Sequence, residues 1–404
     1  MQSSLPLPLE LSASRRLGTI ESIGSQKDIR YYGTIAKGLL NGPESTGMGF
    51  WSINPYVGCA FGCAYCYARY AHRYVAERAV AAAEPEAPYR EEFTELPPWL
   101  AFERRIFVKR NAAEVLRAQL RANADRRPAG VQGNGGKKRG RRQGRLTGLW
   151  NGEGIAIGTA TDPYQPAERR YRVTRGILEV LAEERGLWIW ITTKSPLITR
   201  DIDVLARIAG RSEIGVQISL ITLDRELARR IEPRAPTPEA RVRAIKRLTG
   251  AGIETGVNVM PVLPGLTDRP EMLDALVQRV ADAGASHVNT CALRLQATAR
   301  QRYLPFIEQE FPHLAARYRA AYADGYQMSD RYREGLRRFL RARCREHGIR
   351  YGAGEEDGTS SDPESRTPDA EEAEQAEAPG SAPASQVVEA ERQAQLELGL
   401  ERTM

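Results

Sequence analysis

This sequence of 404 residues predicts an α/β fold: a partial, TIM-like (β/α)6 barrel with a helical C-terminal extension and a disordered acidic tail. Three observations lead there. Between about residues 50 and 295, apolar runs of strand length alternate with longer stretches of helical character. That alternation implies parallel strands joined by right-handed helical crossovers. The units number about six rather than eight, so the barrel should stay open, with ligands at the C-terminal ends of its strands.

The elements follow in order. Residues 1–46 form an N-terminal extension, and residues 1–16 lack the basic start and apolar run of a secretory signal. Residues 47–300 form the core. Within it, 50–57 reads as a first strand running into a cysteine-rich loop, and 68–83 as an alanine-rich helix. A short apolar run at 106–109 precedes a helix over 112–122. The compact strand 154–158 is followed by helical residues 167–184. Next come strand 187–193 with helix 198–208, strand 214–220 with helix 238–251, strand 254–260 with helix 270–283, and a last strand at 287–293. Residues 301–352 form the helical extension, where Tyr318, Tyr322, Tyr326, Tyr332 and Phe339 supply an apolar side to pack on the barrel. From 353 onward the chain is rich in Pro, Ala, Ser and Glu and should be disordered.

Charge is distributed unevenly. Residues 355–404 hold 14 acidic and 3 basic residues, so a tail of −11 leaves +18 on the remainder of a chain whose net charge is +7. A basic body suits a polyanionic partner such as nucleic acid, although solvated helical arginines explain part of it. Residues 126–145 carry eight basic residues, no acids and six glycines, which reads as a mobile insertion able to meet phosphates. In the tail, Q-L-E-L-G-L from Gln395 to Leu400 resembles the short peptide by which bacterial repair and replication proteins dock on the sliding clamp. The longest strongly apolar run, Leu187 to Ile191, has strand length, so no membrane span is expected. Five cysteines without a secretory signal point to reduced thiols in a cytoplasmic protein.

Chemistry concentrates in N-P-Y-V-G-C-A-F-G-C-A-Y-C-Y-A-R, residues 54–69, where Cys59, Cys63 and Cys66 stand in C-x3-C-x2-C spacing. Three thiolates can hold three corners of a 4Fe–4S cluster and leave the fourth iron open. Zinc would usually want four protein ligands, and the nearest further candidate is His72. Gly58 and Gly62 would let the loop backbone turn tightly. The stretch G-T-A-T-D-P-Y-Q-P-A-E at 158–168, then T-T-K-S at 192–195 and Q-I-S-L at 217–220, place polar residues at successive strand ends. A lysine and a serine there can meet a carboxylate. Asp162 and Glu168 either orient a ligand or cap the next helix, and Glu232 with Arg234 is expected as an ion pair beneath the site.

These motifs, with R-D-I-D at 200–203, I-E-P-R at 231–234 and P-V-L-P-G at 261–265, resemble the radical S-adenosylmethionine (SAM) superfamily. Within it they resemble the group related to spore photoproduct lyase, often labelled DNA repair photolyase. The resemblance spans about residues 30–300. It implies a 4Fe–4S cluster on Cys59, Cys63 and Cys66, and SAM contacts from Tyr65, Thr161, Lys194 and Ser219. It also implies a reductase such as flavodoxin or ferredoxin as electron donor. The lyase carries a hydrogen-returning cysteine at the end of its second strand; residues 158–162 have none. Cys291, at the end of the last strand, is the candidate substitute, weighed against ordinary burial of a small apolar side chain. The expected function is reductive SAM cleavage with hydrogen abstraction from a nucleic-acid component, in a lyase-like repair or a modification reaction. A radical SAM enzyme acting on a small molecule or peptide, and a non-catalytic cluster protein that binds nucleic acid, are the alternatives.

Overall fold

The computed structural model describes residues 21–43, 49–72, 96–122, 147–150 and 152–352. The insertion at 126–145, the tail with its Gln395 to Leu400 peptide, residues 1–20 and most of the 68–83 helix lie outside the described residues. Among the described residues, no helix is long and apolar enough to cross a membrane.

Six parallel strands make the open barrel: β4 (Trp51–Ile53), β7 (Ile155–Ile157), β8 (Trp188–Thr193), β9 (Glu213–Ser219), β10 (Glu254–Val262) and β11 (His287–Ala292), side by side in that order. At one edge β3 (Leu40–Asn41) adds antiparallel to β4; at the other β12 (Arg350–Tyr351) adds parallel to β11. Strand alternation gives the sheet two chemically different faces. The outward face carries Ile53, Ile157, Ile191 and Val216 in register, then Ile218, Val257 and Val288, all fully buried. Helices cover that face: α4 (Val173–Leu181), α5 (Ile202–Ala209), α7 (Pro238–Gly250) and α8 (Pro270–Asp282) bring Ile177, Leu205, Ile245 and Leu276 into the same core. Each such aliphatic side chain contributes about 1.5–3 kcal/mol of burial free energy. The inward face is largely small or polar, with Ser52, Ala156, Thr192, Gln217, Ser219, Asn258 and Asn289, and it also carries Trp190 beside Ala156.

Three expectations need correction. Residues 50–57 are not one strand: β4 ends at Ile53, and β5 (Tyr56–Val57) belongs to a different sheet. Pro55, with no N–H to give a ladder, sits at the break. The run at 106–109 is likewise not a barrel stave. It lies in β6 (Arg105–Lys109), which pairs with β5 and with β2 (Ile29–Thr34), beside β1 (Glu21–Gln26), in a four-stranded sheet. The expected helix over 167–184 is two, α3 (Pro166–Tyr171) and α4, broken at Arg172, whose φ of 51° is left-handed. Glu168 repairs the break, its carboxylate accepting the Thr174 and Arg175 N–H groups at 2.8 and 3.2 Å. Those are orphan donors of α4's first turn.

Further helices frame the site, and those over 98–104 and 225–231 are not foreseen from sequence. α1 (Pro98–Arg104) precedes β6, with α2 (Ala112–Arg121) after it. α6 (Arg225–Ile231) is capped by Asp224, which accepts from the Glu226 and Leu227 N–H groups, a cap worth about 1 kcal/mol. The C-terminal extension comprises α9 (Ala297–Glu310), α10 (Pro312–Ala321) and α11 (Asp330–Glu346). Tyr303, Phe306, Ile307, Tyr318 and Tyr322 from α9, α10 and the following turn share a second buried core with Phe61, Tyr65, Leu263 and Leu293. The extension therefore packs against the cysteine loop itself.

Candidate cofactor site

The chain leaves β5 at Val57 and turns at once. Gly58 has φ 86°, and a Cβ there would come within 2.7 Å of the Phe102 carbonyl oxygen. Cys59 N–H donates to that same carbonyl at 2.9 Å. Other groups hold the loop around the cysteines. Thr161 Oγ1 donates to the Gly58 carbonyl at 2.6 Å, and Gln165 Nε2 to the same oxygen at 3.0 Å. Gln165 Oε1 also accepts Ala60 N–H at 2.9 Å. Arg234 Nε reaches the Ala60 carbonyl at 2.6 Å, and Arg69 donates to the Cys63 carbonyl at 2.8 Å while pairing with Glu103 at 2.7 Å. The loop thus presents its three side chains from a backbone fixed by neighbours on several elements.

Cys59 and Cys63 are buried and Cys66 half-buried; none is in a disulfide. Burial pushes Cys63 up to about 12, with Lys194 opposing, and burial followed by Asp162 raises Cys59 well above the ordinary thiol value. The protein alone therefore keeps both as thiols at neutral pH, whereas a soft metal would displace their protons. Among the described residues, no three His, Cys, Asp or Glu side chains are gathered to hold a single ion. A four-iron cluster asks each thiolate to take its own iron, so convergence on one point is not its requirement. His72 lies wholly buried against Phe102 and Phe107, with ring centroids at 5.8 and 5.9 Å, and burial lowers it to about 3.

Beside the loop stands a buried charge cluster. Glu232 pairs with Arg241, both essentially inaccessible, and accepts the Tyr65 hydroxyl. Lys194 Nζ lies 4.0 Å from Glu232 and 5.6 Å from the centre of the Tyr65 ring. Burial alone would raise Glu232, but Arg241 and then Lys194 outweigh it and hold the carboxylate ionised. For Lys194 burial pulls down, yet Cys63 and Glu232 bring it to about 12, so it stays cationic. The expected Glu232–Arg234 pair does not form. Arg234 instead lies 3.5 Å from Glu103, and Arg241, one helix further on, takes Glu232. Both residues follow the end of α6, where Glu232 is its C-cap while Arg234 turns to the Ala60 carbonyl and Glu103.

Of the sequence-expected contacts, Tyr65 and Lys194 meet over Glu232, and Ser219 ends β9 close by, its carbonyl bound by Arg241 at 2.9 Å. Among the described residues the Ser219 hydroxyl has no protein partner. Thr161 is placed differently: its hydroxyl braces the cysteine loop rather than facing an open cavity. Asp162 ties one strand end to the next, accepting Thr193 Oγ1 at 2.6 Å and Lys194 N–H at 2.8 Å. Cys291 is half-buried on β11, on the inward face and near Tyr67 and Tyr322. Sequence reasoning missed Gln165, Arg241 and the inward amides Gln217, Asn258 and Asn289. A period of two along β9, β10 and β11 would have marked those amides.

The family model of the radical SAM superfamily matches residues 148–277, after the cysteine loop. An uncharacterised protein of Mycobacterium tuberculosis is 33% identical over 331 residues, covering 81% of this chain and 84% of its own. One of Methanocaldococcus jannaschii is 25% identical over 216 residues, covering 54% of this chain and 61% of its own. Among solved structures, spore photoproduct lyase complexed with dinucleoside spore photoproduct gives a TM-score of 0.52 at 16% identity, over 79% of this chain and 80% of the lyase. That likeness is one of fold.

Proposed function

Because this chain belongs to the radical SAM superfamily, we propose that it cleaves SAM reductively with a 4Fe–4S cluster and abstracts hydrogen from a nucleic-acid component. The observation that carries the reading is the clamped loop of Cys59, Cys63, Tyr65 and Cys66 set against Lys194 and Ser219 at neighbouring strand ends. Three soft thiol ligands, none in a disulfide, fit a cluster with one open iron. When bound, cluster and SAM supply an electron and a carbon-centred hydrogen abstractor.

The chain's own residues do the rest. Lys194, which stays protonated beside the ionised Glu232, offers a fixed cation to the SAM carboxylate. Ser219 offers a hydroxyl beside it. Tyr65, held by Glu232, gives a flat buried face for the adenine. Thr161 and Gln165 keep the loop from shifting under its ligands. Cys291, on the inward face, is proposed as the hydrogen donor to product.

The basic body supports a nucleic-acid substrate, and a dinucleoside photoproduct is what the similar lyase structure holds. The lyase type of reaction, repair as its setting, a flavodoxin or ferredoxin as donor and clamp docking through Gln395 to Leu400 belong to the same proposal. Anaerobic reconstitution with dithionite tests the core of it. The protein should then bind iron and sulfide and convert SAM to 5′-deoxyadenosine, and each of Cys59→Ala, Cys63→Ala and Cys66→Ala should abolish the cluster absorption. Zinc in place of iron would overturn the reading. Nucleic-acid binding should weaken steeply with salt. Cys291→Ala should keep SAM cleavage and lose label transfer to product.

A further inference from the structure

The inward face of β9, β10 and β11 carries a chain of side-chain hydrogen bonds that the chemistry above does not use. Ser286 Oγ lies 3.3 Å from the Thr255 carbonyl, to which it donates, and 2.9 Å from His287 Nδ1. With that proton given to the carbonyl, or to Glu254 Oε1 at 3.5 Å, Nδ1 is the protonated ring nitrogen and Nε2 the acceptor. Gln217 Nε2 lies 2.8 Å from His287 Nε2 and donates to it, which turns Gln217 Oε1 toward Asn289. Asn289 Nδ2 then donates to Gln217 Oε1 at 3.3 Å and to Asn258 Oδ1 at 3.1 Å. Gly256 makes this possible: a Cβ there would lie 2.2 Å from His287 Nε2 and 2.6 Å from Gln217 Oε1.

The polarity of the chain fixes what it leaves over. Both Asn289 Nδ2 protons are spent, so its Oδ1 is an unused acceptor. The Oδ1 of Asn258 is occupied, so its Nδ2 is an unused donor. Among the described residues neither atom has a protein partner, and both side chains are half-buried on the open face. Their neighbours are the residues to which the proposed function assigns SAM binding and hydrogen return. Asn258 is the register partner of Ser219 on one side and of Asn289 on the other, and Cys291 follows Asn289 by one strand repeat.

We propose that Asn258 and Asn289 are the substrate-positioning pair, with Asn258 Nδ2 donating to a ring carbonyl or ring nitrogen and Asn289 Oδ1 accepting a ring or amino N–H of an unpaired nucleobase. A neighbouring acceptor and donor is what the Watson–Crick edge of a base displays, and bases outside a duplex are read there. The pair is neutral and held by a relay, so it suits an uncharged heterocycle rather than a phosphate. This rests on the nucleic-acid reading above and names which atoms read the base.

The test uses anaerobically reconstituted protein with SAM and no reductant, titrated with a fluorescein-labelled thymidine hexanucleotide. A second probe carries N3-methylthymine throughout, which removes the N–H and keeps both carbonyls. The wild type should bind the methylated probe about tenfold more weakly, and Asn289→Leu should bind both alike. Asn258→Asp, which exchanges donor for acceptor, should weaken the unmethylated probe by about as much. Equal affinity of the wild type for the two probes, or the same methylation penalty in Asn289→Leu, would overturn the proposal. Dithionite added to the same samples separates the two ideas: 5′-deoxyadenosine formed without methylation sensitivity sinks the amide pair alone, and none formed in the wild type sinks radical SAM cleavage.

Discussion

Replacing Glu232 by Gln removes the negative charge from the cluster beside the cysteine loop with little change in volume. Arg241, about 1% exposed, then keeps a buried guanidinium without its counter-charge. Its bonds to the Ser219 and Pro236 carbonyls, each 2.9 Å, survive, and Tyr65 can still donate to the amide oxygen. Breaking one side of a buried pair typically costs about 3–5 kcal/mol, and these surviving bonds argue for the lower end, about 3 kcal/mol. The sign with pH follows from the direction of the shift. Folding lowers Glu232 below its ordinary 4.5, so its contribution is complete above that value and is lost as pH falls through the folded one. Urea unfolding of wild type and Glu232→Gln, followed by tryptophan fluorescence at pH 7 and at steps below pH 5, reads both effects. The gap should be about 3 kcal/mol at pH 7 and shrink in acid. A gap under about 1 kcal/mol, or one that widens in acid, would refute the idea that a buried ion pair anchors this side of the site.

Three further outcomes follow from single contacts. Thr161→Val should speed iron loss to a chelator and cost about 1 kcal/mol of stability, since it deletes the donor to the Gly58 carbonyl; lowered SAM affinity with unchanged iron retention would instead give Thr161 a cofactor contact. Lys194→Met should leave iron content intact and weaken SAM binding about tenfold or more in equilibrium dialysis, with no titration of the wild-type affinity between pH 6 and about 9, because Lys194 stays charged to about 12. Gly256→Ala should cost about 1–3 kcal/mol of stability in urea unfolding through overpacking, whereas Gly215→Ala, whose nearest new neighbour is the Glu254 carbonyl at 4.0 Å, should be close to neutral.

What could be read along the chain was whatever repeats or clusters locally. The alternation of apolar strands and helices foretold the parallel sheet, and the spacing of Cys59, Cys63 and Cys66 pointed to the loop that carries the proposed chemistry. Where contacts depend on strands far apart in sequence, local signals gave out. Residues 105–109 look like any other stave, yet hydrogen bonds to β2 and β5 draw them into a separate sheet. Glu232 has an arginine two residues away and ignores it for Arg241, since the end of α6 and the start of α7 decide which guanidinium reaches the buried carboxylate. Asn258 and Asn289 are 31 residues apart and become partners only through the register of β10 on β11. Periodicity is a property of neighbouring residues and survives in the bare sequence; register and side-chain partnership are set by how whole elements pack, and only the folded chain possesses them.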